Sequence, residues 1–264
     1  VEESYGRSFE QSHITEQYMV LGEMVRDYAS MHWKKTKETI DKQQRKRVYY
    51  FSMEYMPGKF LINNLKDLSI YEDVKEGLFE LGIDLFDIAA LEKEPALGKD
   101  TLGAISACVM DSLASLALPS MSVGLRYEYG LFKQLIKNGQ QVEVPDQWLL
   151  LGNIWEVWKP KHAVDVKFWG HIETTVGSDG KIKYWHIDAE HVKAVPYDIP
   201  MVGRNTNETN TFRLWLAQAS EQLPANKSFQ EYIAEVREIC QNIYLDDGSE
   251  KNTYLRLKQE YFLV

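Results

Sequence analysis

The stretch from Arg47 to Gly130 constrains the fold more than any other part of the chain. "RVYYFSMEY", residues 47–55, is a β-branched and aromatic run of the kind that fills a buried strand, and it ends at Pro57-Gly58, a pair that forces a turn. Residues 72–93 have a helical pattern broken near Gly82. "ALGKDTLGAISACVMDSLASL", residues 96–116, then sets Leu102, Ile105, Val109, Leu113 and Leu116 on one apolar helix stripe, with Asp100 or Thr101 as the N-cap. "SMSVGLRYEYG", residues 120–130, reads as the next strand. Strand, turn, helix, strand is the grammar of a parallel sheet, so the expected class is α/β.

On either side of this unit the pattern changes. Residues 10–40 read as one helix through Ile14, Tyr18, Leu21, Val25 and Tyr28, and the charged run 37–47 as a solvated helix face or loop. From about residue 155 the chain is β-rich. Two alternating runs flank Gly177-Ser178-Asp179-Gly180 as a hairpin, and "HVKAVPYDIPMVG" and "TNTFRLWLA" read as further strands. A helix is expected at 228–243.

Composition excludes several classes of function. A net charge of −9 argues against nucleic acid, which needs a basic face. No run approaches the roughly 18 apolar residues of a membrane helix, and the N-terminus has no signal pattern, so the cytoplasm is the default compartment. The two cysteines, Cys108 and Cys240, lie in apolar-periodic helical segments and read as buried thiols. The six histidines and two cysteines have no metal-ligand spacing, and no GxSxG elbow is present, so no metal is expected. The closing run "YLRLKQEYFLV" ends apolar and uncapped, which reads as a cut inside a larger protein.

The residues alone leave their functional candidates open. Glu54 stands at a strand end beside a turn, where open α/β sheets present ligand-binding groups; a plain ion pair with Lys59 or Arg126 explains it equally well. Gly98, Lys99, Asp100 and Thr101 precede a helix whose dipole favours an anion, but Asp100 opposes one. Asp246, Asp247 and Gly248 form either a gating loop or an ordinary surface loop. Of Trp148, Trp155, Trp158, Trp169 and Trp185, most read as core, with Trp148 the exception because it follows the loop "EVPDQ".

Several stretches taken together resemble the α-glucan (glycogen, starch or maltodextrin) phosphorylases. They are "KRVYYFSMEYMPGKFLINNL", the run from Ser106 to Glu156, "KAVPYDIPMVGRNTNETNTFRLW" and "YLRLKQEYFLV", in order along the chain. The resemblance implies the Rossmann-like N-terminal half of a two-domain GT-B glycosyltransferase fold with a β-rich insert. It implies a cytoplasmic homodimeric transferase of carbohydrate metabolism that releases glucose 1-phosphate from α-1,4-glucan ends with inorganic phosphate. It also implies pyridoxal phosphate, whose lysine belongs to a C-terminal domain absent here, so residues 1–264 alone should be inactive. Within them, 1–45 resemble the cap segment, 155–212 the β-rich part, and 228–243 the tower-like helix that crosses the dimer.

Carried over by position, Glu54 matches the family's active-site glutamate and Asp247 the aspartate of its gating loop, although Tyr244-Leu245-Asp246-Asp247 stands where Tyr-Pro-Asn-Asp is usual. Gly98, Lys99, Thr101, Leu102 and Gly103 occupy the family's substrate and phosphate loop. Here that loop departs: the family's Asn-Gly-Gly has become Lys99-Asp100-Thr101, the following Arg is Ala104, and two residues before Leu97 are missing. Side chains at 100 and 101 crowd the approach to phosphate, and Lys99 supplies a compensating cation. The alternative implied by this departure is a catalytically degenerate homologue that binds glucan or serves as a dimerisation module.

Overall fold

A computed structural model describes residues 5–97, 101–127, 129–130, 133–144, 146–219, 228, 230 and 231. The class is mixed α/β, and the chain divides into two compact units. One comprises residues 1–124, 128–157 and 198–214; the other comprises 125–127, 158–197 and 215–264.

The first unit opens with α1 (Ile14–Gln43), started by a capping box. The His13 ring accepts from the Thr15 N–H and the Glu16 carboxylate accepts from the His13 N–H. Tyr18, Leu21, Val25, Ala29, Trp33 and Ile40 recur at helical spacing and are buried. Gly22 interrupts that stripe because a Cβ there would lie 1.8 Å from Ile154 Cδ1, and Arg26 locks the same segment by donating to the Ile154 carbonyl at 2.6 Å. The Trp33 indole N–H donates to Thr211 Oγ1 at 2.8 Å, which fixes α1 against the strand that carries Thr211.

After α1 come β1 (Val48–Phe51), α2 (Phe60–Asp67), α3 (Tyr71–Glu80), α4 (Leu85–Ala90), α5 (Thr101–Ser115) and β2 (Ser120–Leu125). β1 and β2 pair in parallel, Val48 against Ser120 through Phe51 against Val123, with α5 in the crossover. The helical break falls at Gly82, at φ +72°. A short hairpin follows, β3 (Lys133–Lys137) and β4 (Gln140–Val144), turned by Asn138-Gly139 with both residues at positive φ. That dipeptide is the preferred hairpin turn and could have been read directly from the sequence. Next in the chain are β5 (Val157–Trp158), β6 (Val164–Phe168), β7 (His171–Val176), β8 (Ile182–Ile187), β9 (Glu190–Val202) and β10 (Thr209–Ala219). The main sheet runs β1-β2-β10-β9-β5, with β6 on β9. The β6 and β9 pair is antiparallel, so the sheet is mixed.

In the second unit, Phe168 pairs with Glu190 and, across a two-residue corner, His171 with Ile187. Trp169 and Gly170 turn that corner at φ +60° and +69°. Only glycine fits at 170, because a Cβ would meet the Ile187 carbonyl at 2.2 Å. β7 and β8 then form a two-stranded arm closed at Gly177–Lys181.

Five expectations are corrected. Among the described residues β1 is an edge strand, not a buried one: it heads the sheet order, and Val48, Tyr49 and Phe51 are exposed. The large apolar stripe of α5 is not its inner face. Gly103, Ser106, Met110 and Ala114 are buried, while Leu102, Ile105 and Leu116 are exposed. Three of the four buried residues are small, and Met110 is the one large apolar side chain among them. Cys108 lies on that outer face and is exposed; Cys240 lies outside the described residues. Trp148 is buried, not the exposed exception. Trp155 is core as expected, but Trp158, Trp169 and Trp185 are exposed because they sit on β5, at the arm corner and on β8.

Asp67, at the end of α2, sits near Asp111 of α5. Burial first, and the Asp111 carboxylate second, push its pKa up to about 6, against the opposing pull of Arg204 and Lys66. A carboxyl raised in the fold stabilises it below the ordinary carboxylate range and loses that contribution as pH rises through 6. Asp67→Asn should therefore raise the melting temperature at pH 7 and leave it nearly unchanged at pH 4. Equal shifts at both pH values, by thermal scans, would contradict this placement.

Candidate functional site

The turn after β1 is built from backbone ties. The Tyr55 N–H donates to the Leu97 carbonyl at 2.8 Å and receives the Leu97 N–H on its own carbonyl at 2.9 Å. The Met56 N–H donates to the Gly103 carbonyl at 3.2 Å. Glu54, Tyr55 and Met56 are thereby held between Leu97 and Gly103, which flank residues 98–102. The Ser52 hydroxyl donates to the Glu54 carbonyl at 2.6 Å and braces the same turn.

Carboxylates position the rest of the segment. Glu92, 2% exposed, accepts from the N–H groups of Phe60 and Leu61 and from the Trp155 indole N–H. Burial raises its pKa, while those donors and Lys59 oppose the rise. Glu94 accepts from the Gly58 N–H at 3.0 Å. The Lys59 ammonium donates to the carbonyls of Ala89 and Ala90, at 3.0 and 3.4 Å, and the Arg126 guanidinium stacks over Tyr197 at 4.2 Å. Around Gly130, Ala96, Asp146 and Trp148 converge so closely that a Cβ would come within 3.4 Å of each.

Of the candidates drawn from the sequence, Glu54, Thr101, Leu102 and Gly103 are described and are brought together by these ties. Glu54 is half-buried; Thr101 and Leu102 are exposed at the start of α5. Thr101 is the first helical residue of α5, not its cap. Gly98, Lys99, Asp100 and Asp247 lie outside the described residues, as does nearly all of 228–243. The N–H groups of the first turn of α5 carry the partial positive charge that suits an anion, and the backbone tie of Met56 to Gly103 brings the turn after Glu54 to that helix start. Gly103 was among the sequence candidates, but its tie to Met56 and the tie of Leu97 to Tyr55 were not foreseen. Backbone pairing leaves no residue-type signature, although the Pro57-Gly58 turn marked the place.

Three of the six histidines serve local structure: His13 caps α1, His171 Nε2 lies 3.3 Å from Glu173 Oε1, and His191 Nδ1 meets Asp165 Oδ2 at 2.5 Å. No cluster able to hold a metal occurs among the described residues. None of their helices is long and apolar enough to cross a membrane.

The chain is similar to known proteins over its whole length. A family model described as carbohydrate phosphorylase matches residues 78–264. Glycogen phosphorylase of Bacillus subtilis is 43% identical over 264 residues, which is 100% of this chain and 33% of that protein. The Chlamydia trachomatis glycogen phosphorylase is 37% identical over 94% of the chain, 31% of its own length. The brain form of human glycogen phosphorylase is also 37% identical over 94% of the chain, 30% of its own length. The chain thus spans about a third of the length of these relatives.

Gly103 is where α5 comes closest to the turn: a Cβ there would lie 2.8 Å from Met56 Cγ and 3.4 Å from the Tyr55 carbonyl carbon. Gly103→Ala should cost about 1–2 kcal/mol through this overlap. Met56→Ala in the same chain should recover part of that loss. A double-mutant cycle by urea unfolding reads the coupling, and additive effects would refute the contact.

Proposed function

Because the chain belongs to the carbohydrate phosphorylase family, we propose that it forms part of an α-glucan phosphorylase, which transfers the terminal glucosyl unit of an α-1,4-glucan to inorganic phosphate and releases glucose 1-phosphate. The reading rests most on the backbone ties of Tyr55 to Leu97 and Met56 to Gly103, which fix the turn that carries Glu54 against the start of α5. An anionic co-substrate and a sugar need just such neighbours: helix-start N–H groups for one, a fixed hydrogen-bond acceptor for the other. In this reading the chain supplies one wall of a GT-B cleft. Glu54 orients the reacting sugar, Thr101, Leu102 and Gly103 present N–H groups toward phosphate, and Lys99 offsets the charge of Asp100. Asp247 belongs to the gate.

Pyridoxal phosphate is the cofactor this family reading calls for, and its phosphate would supply the acid–base group when bound. Lys59, the lysine of the turn, does not fit it. A Schiff-base lysine needs a desolvated amine free to react, whereas Lys59, in the turn itself, spends its ammonium on two backbone carbonyls. On the family resemblance, the cofactor lysine is assigned to the remainder of the enzyme, and residues 1–264 alone to an inactive part. Residues 1–45 and 228–243 are assigned to the homodimer contact, and the protein to the cytoplasm.

The test is phosphorolysis by the full-length protein: maltodextrin, phosphate and pyridoxal phosphate in, glucose 1-phosphate out. Product is expected, with a fall of about a hundredfold or more in kcat for Glu54→Gln at unchanged cofactor loading. Lys99→Ala should weaken phosphate affinity. No product from a folded, cofactor-loaded protein would leave the glucan-binding, non-catalytic reading in its place.

A further inference from the structure

Residues 92–97 run antiparallel to residues 55–61, and the ties between the two segments keep one register. Leu97 exchanges both backbone hydrogen bonds with Tyr55, Glu94 accepts from the Gly58 N–H at 3.0 Å, and Glu92 accepts from the Phe60 N–H at 2.8 Å. In this register Pro95 stands opposite Pro57. Two residues without N–H groups cannot exchange a backbone bond, so the ladder is continued by carboxylates in place of carbonyls. The two carboxylates differ in setting. Glu92 is sunk in the core, where Leu61 and the Trp155 indole also donate to it, whereas Glu94 is half-buried and its bond is to the apex of the turn. Gly58 holds φ +79° there, and among the described residues no bond from the Lys59 N–H to the Met56 carbonyl closes the turn. A glycine released from its tie has many other backbone states open to it.

We infer that Glu94 is a positioning residue for Glu54: its carboxylate holds the Gly58 N–H and so fixes the turn that carries Glu54 against the start of α5. The inference rests on the reading that Glu54 orients the reacting sugar. A group with that task works over a narrow range of positions, and a displacement of about 1 Å costs on the order of a hundredfold in rate. Glu54 is braced on one side by the Ser52 hydroxyl, which donates to its carbonyl at 2.6 Å. On the other side the chain is tied at Tyr55, Met56 and Gly58, and only the tie at Gly58 is made by a side chain. It is charge-assisted, which makes it about twice as strong as a neutral bond, and it depends on reach: a side chain one methylene shorter leaves the Gly58 N–H without its acceptor.

The test is phosphorolysis of maltodextrin by the full-length protein at equal pyridoxal phosphate loading. Glu94→Ala and Glu94→Asp should each lower kcat about tenfold, with KM for phosphate and maltodextrin within about twofold of wild type. Glu94→Gln keeps an oxygen at the right reach without the charge, and should stay within about threefold of wild type. The Asp and Gln variants decide between reach and charge even where the Ala variant fails to fold. In a Glu54→Gln background, Glu94→Ala should cost less than about twofold in kcat, because the group it positions has gone. A purely structural role would lower kcat by the same factor in both backgrounds, and that result would overturn the inference. Unchanged kcat in the Ala and Asp variants would overturn it too, with the phosphorylase reading left intact. A wild type that releases no glucose 1-phosphate would remove that reading and this role together.

Discussion

One buried carboxylate organises the segment on which the candidate site depends. Glu92 takes hydrogen bonds from the first two N–H groups of α2 and from Trp155, which packs on Phe60 with ring centroids 5.9 Å apart. Helix starts have orphan N–H groups and a favourable potential for an anion, so an ionised side chain there offsets part of the cost of its own burial. The net direction is still upward in pKa, so burial outweighs the donors. Tyr18 feels the same carboxylate: desolvation, then the Glu92 charge, push its phenol far above its usual range. The consequence is positional. With Glu92 fixed, residues 92–97 are fixed, and Glu94 and Leu97 can hold Gly58 and Tyr55 from the opposite side of the turn.

The order of elements was legible because it rests on local signals. The capping box of α1, the break at Gly82, the β1–α5–β2 crossover and the Gly177–Gly180 turn each have side-chain or glycine signatures within a few residues. Which face of an element is buried was much less legible. Periodicity in α5 favours its largest apolar side chains, but the residues that pack inside are Gly103, Ser106, Met110 and Ala114. Depth of burial there is set by how closely helix and sheet approach, and small residues permit the closest approach. The same reasoning covers β1, whose composition suits a buried strand although its position in the sheet order is at an edge.

The candidate site divides in the same way. Glu54 could be singled out because a strand end beside Pro57-Gly58 has a local reason to present a side chain. The anchors could not: Tyr55 to Leu97 and Met56 to Gly103 are backbone pairings between residues more than forty apart in sequence, and any residue type could make them. Tryptophan was the least informative signal. Trp148 and Trp155 are core and Trp185 is displayed, and the difference lies in whether a second layer covers the strand or loop, not in the residue.

The glycine content of the loop before α5 can be understood from contact distances. Gly103 is the one described position there where a Cβ collides with its surroundings, at Met56 Cγ. At the first helical position a side chain meets no such obstacle, since Thr101 is exposed, and threonine is tolerated sterically even though it narrows the path to the N–H groups behind it. Loss of glycine at 101 therefore leaves the packing of α5 on the turn unchanged. Its effect falls on whatever approaches the helix start from outside, so the packing of α5 on the turn and the surface of its first turn can vary separately. A sequence that keeps Gly103 while replacing its neighbours has preserved the part of the loop on which the turn depends.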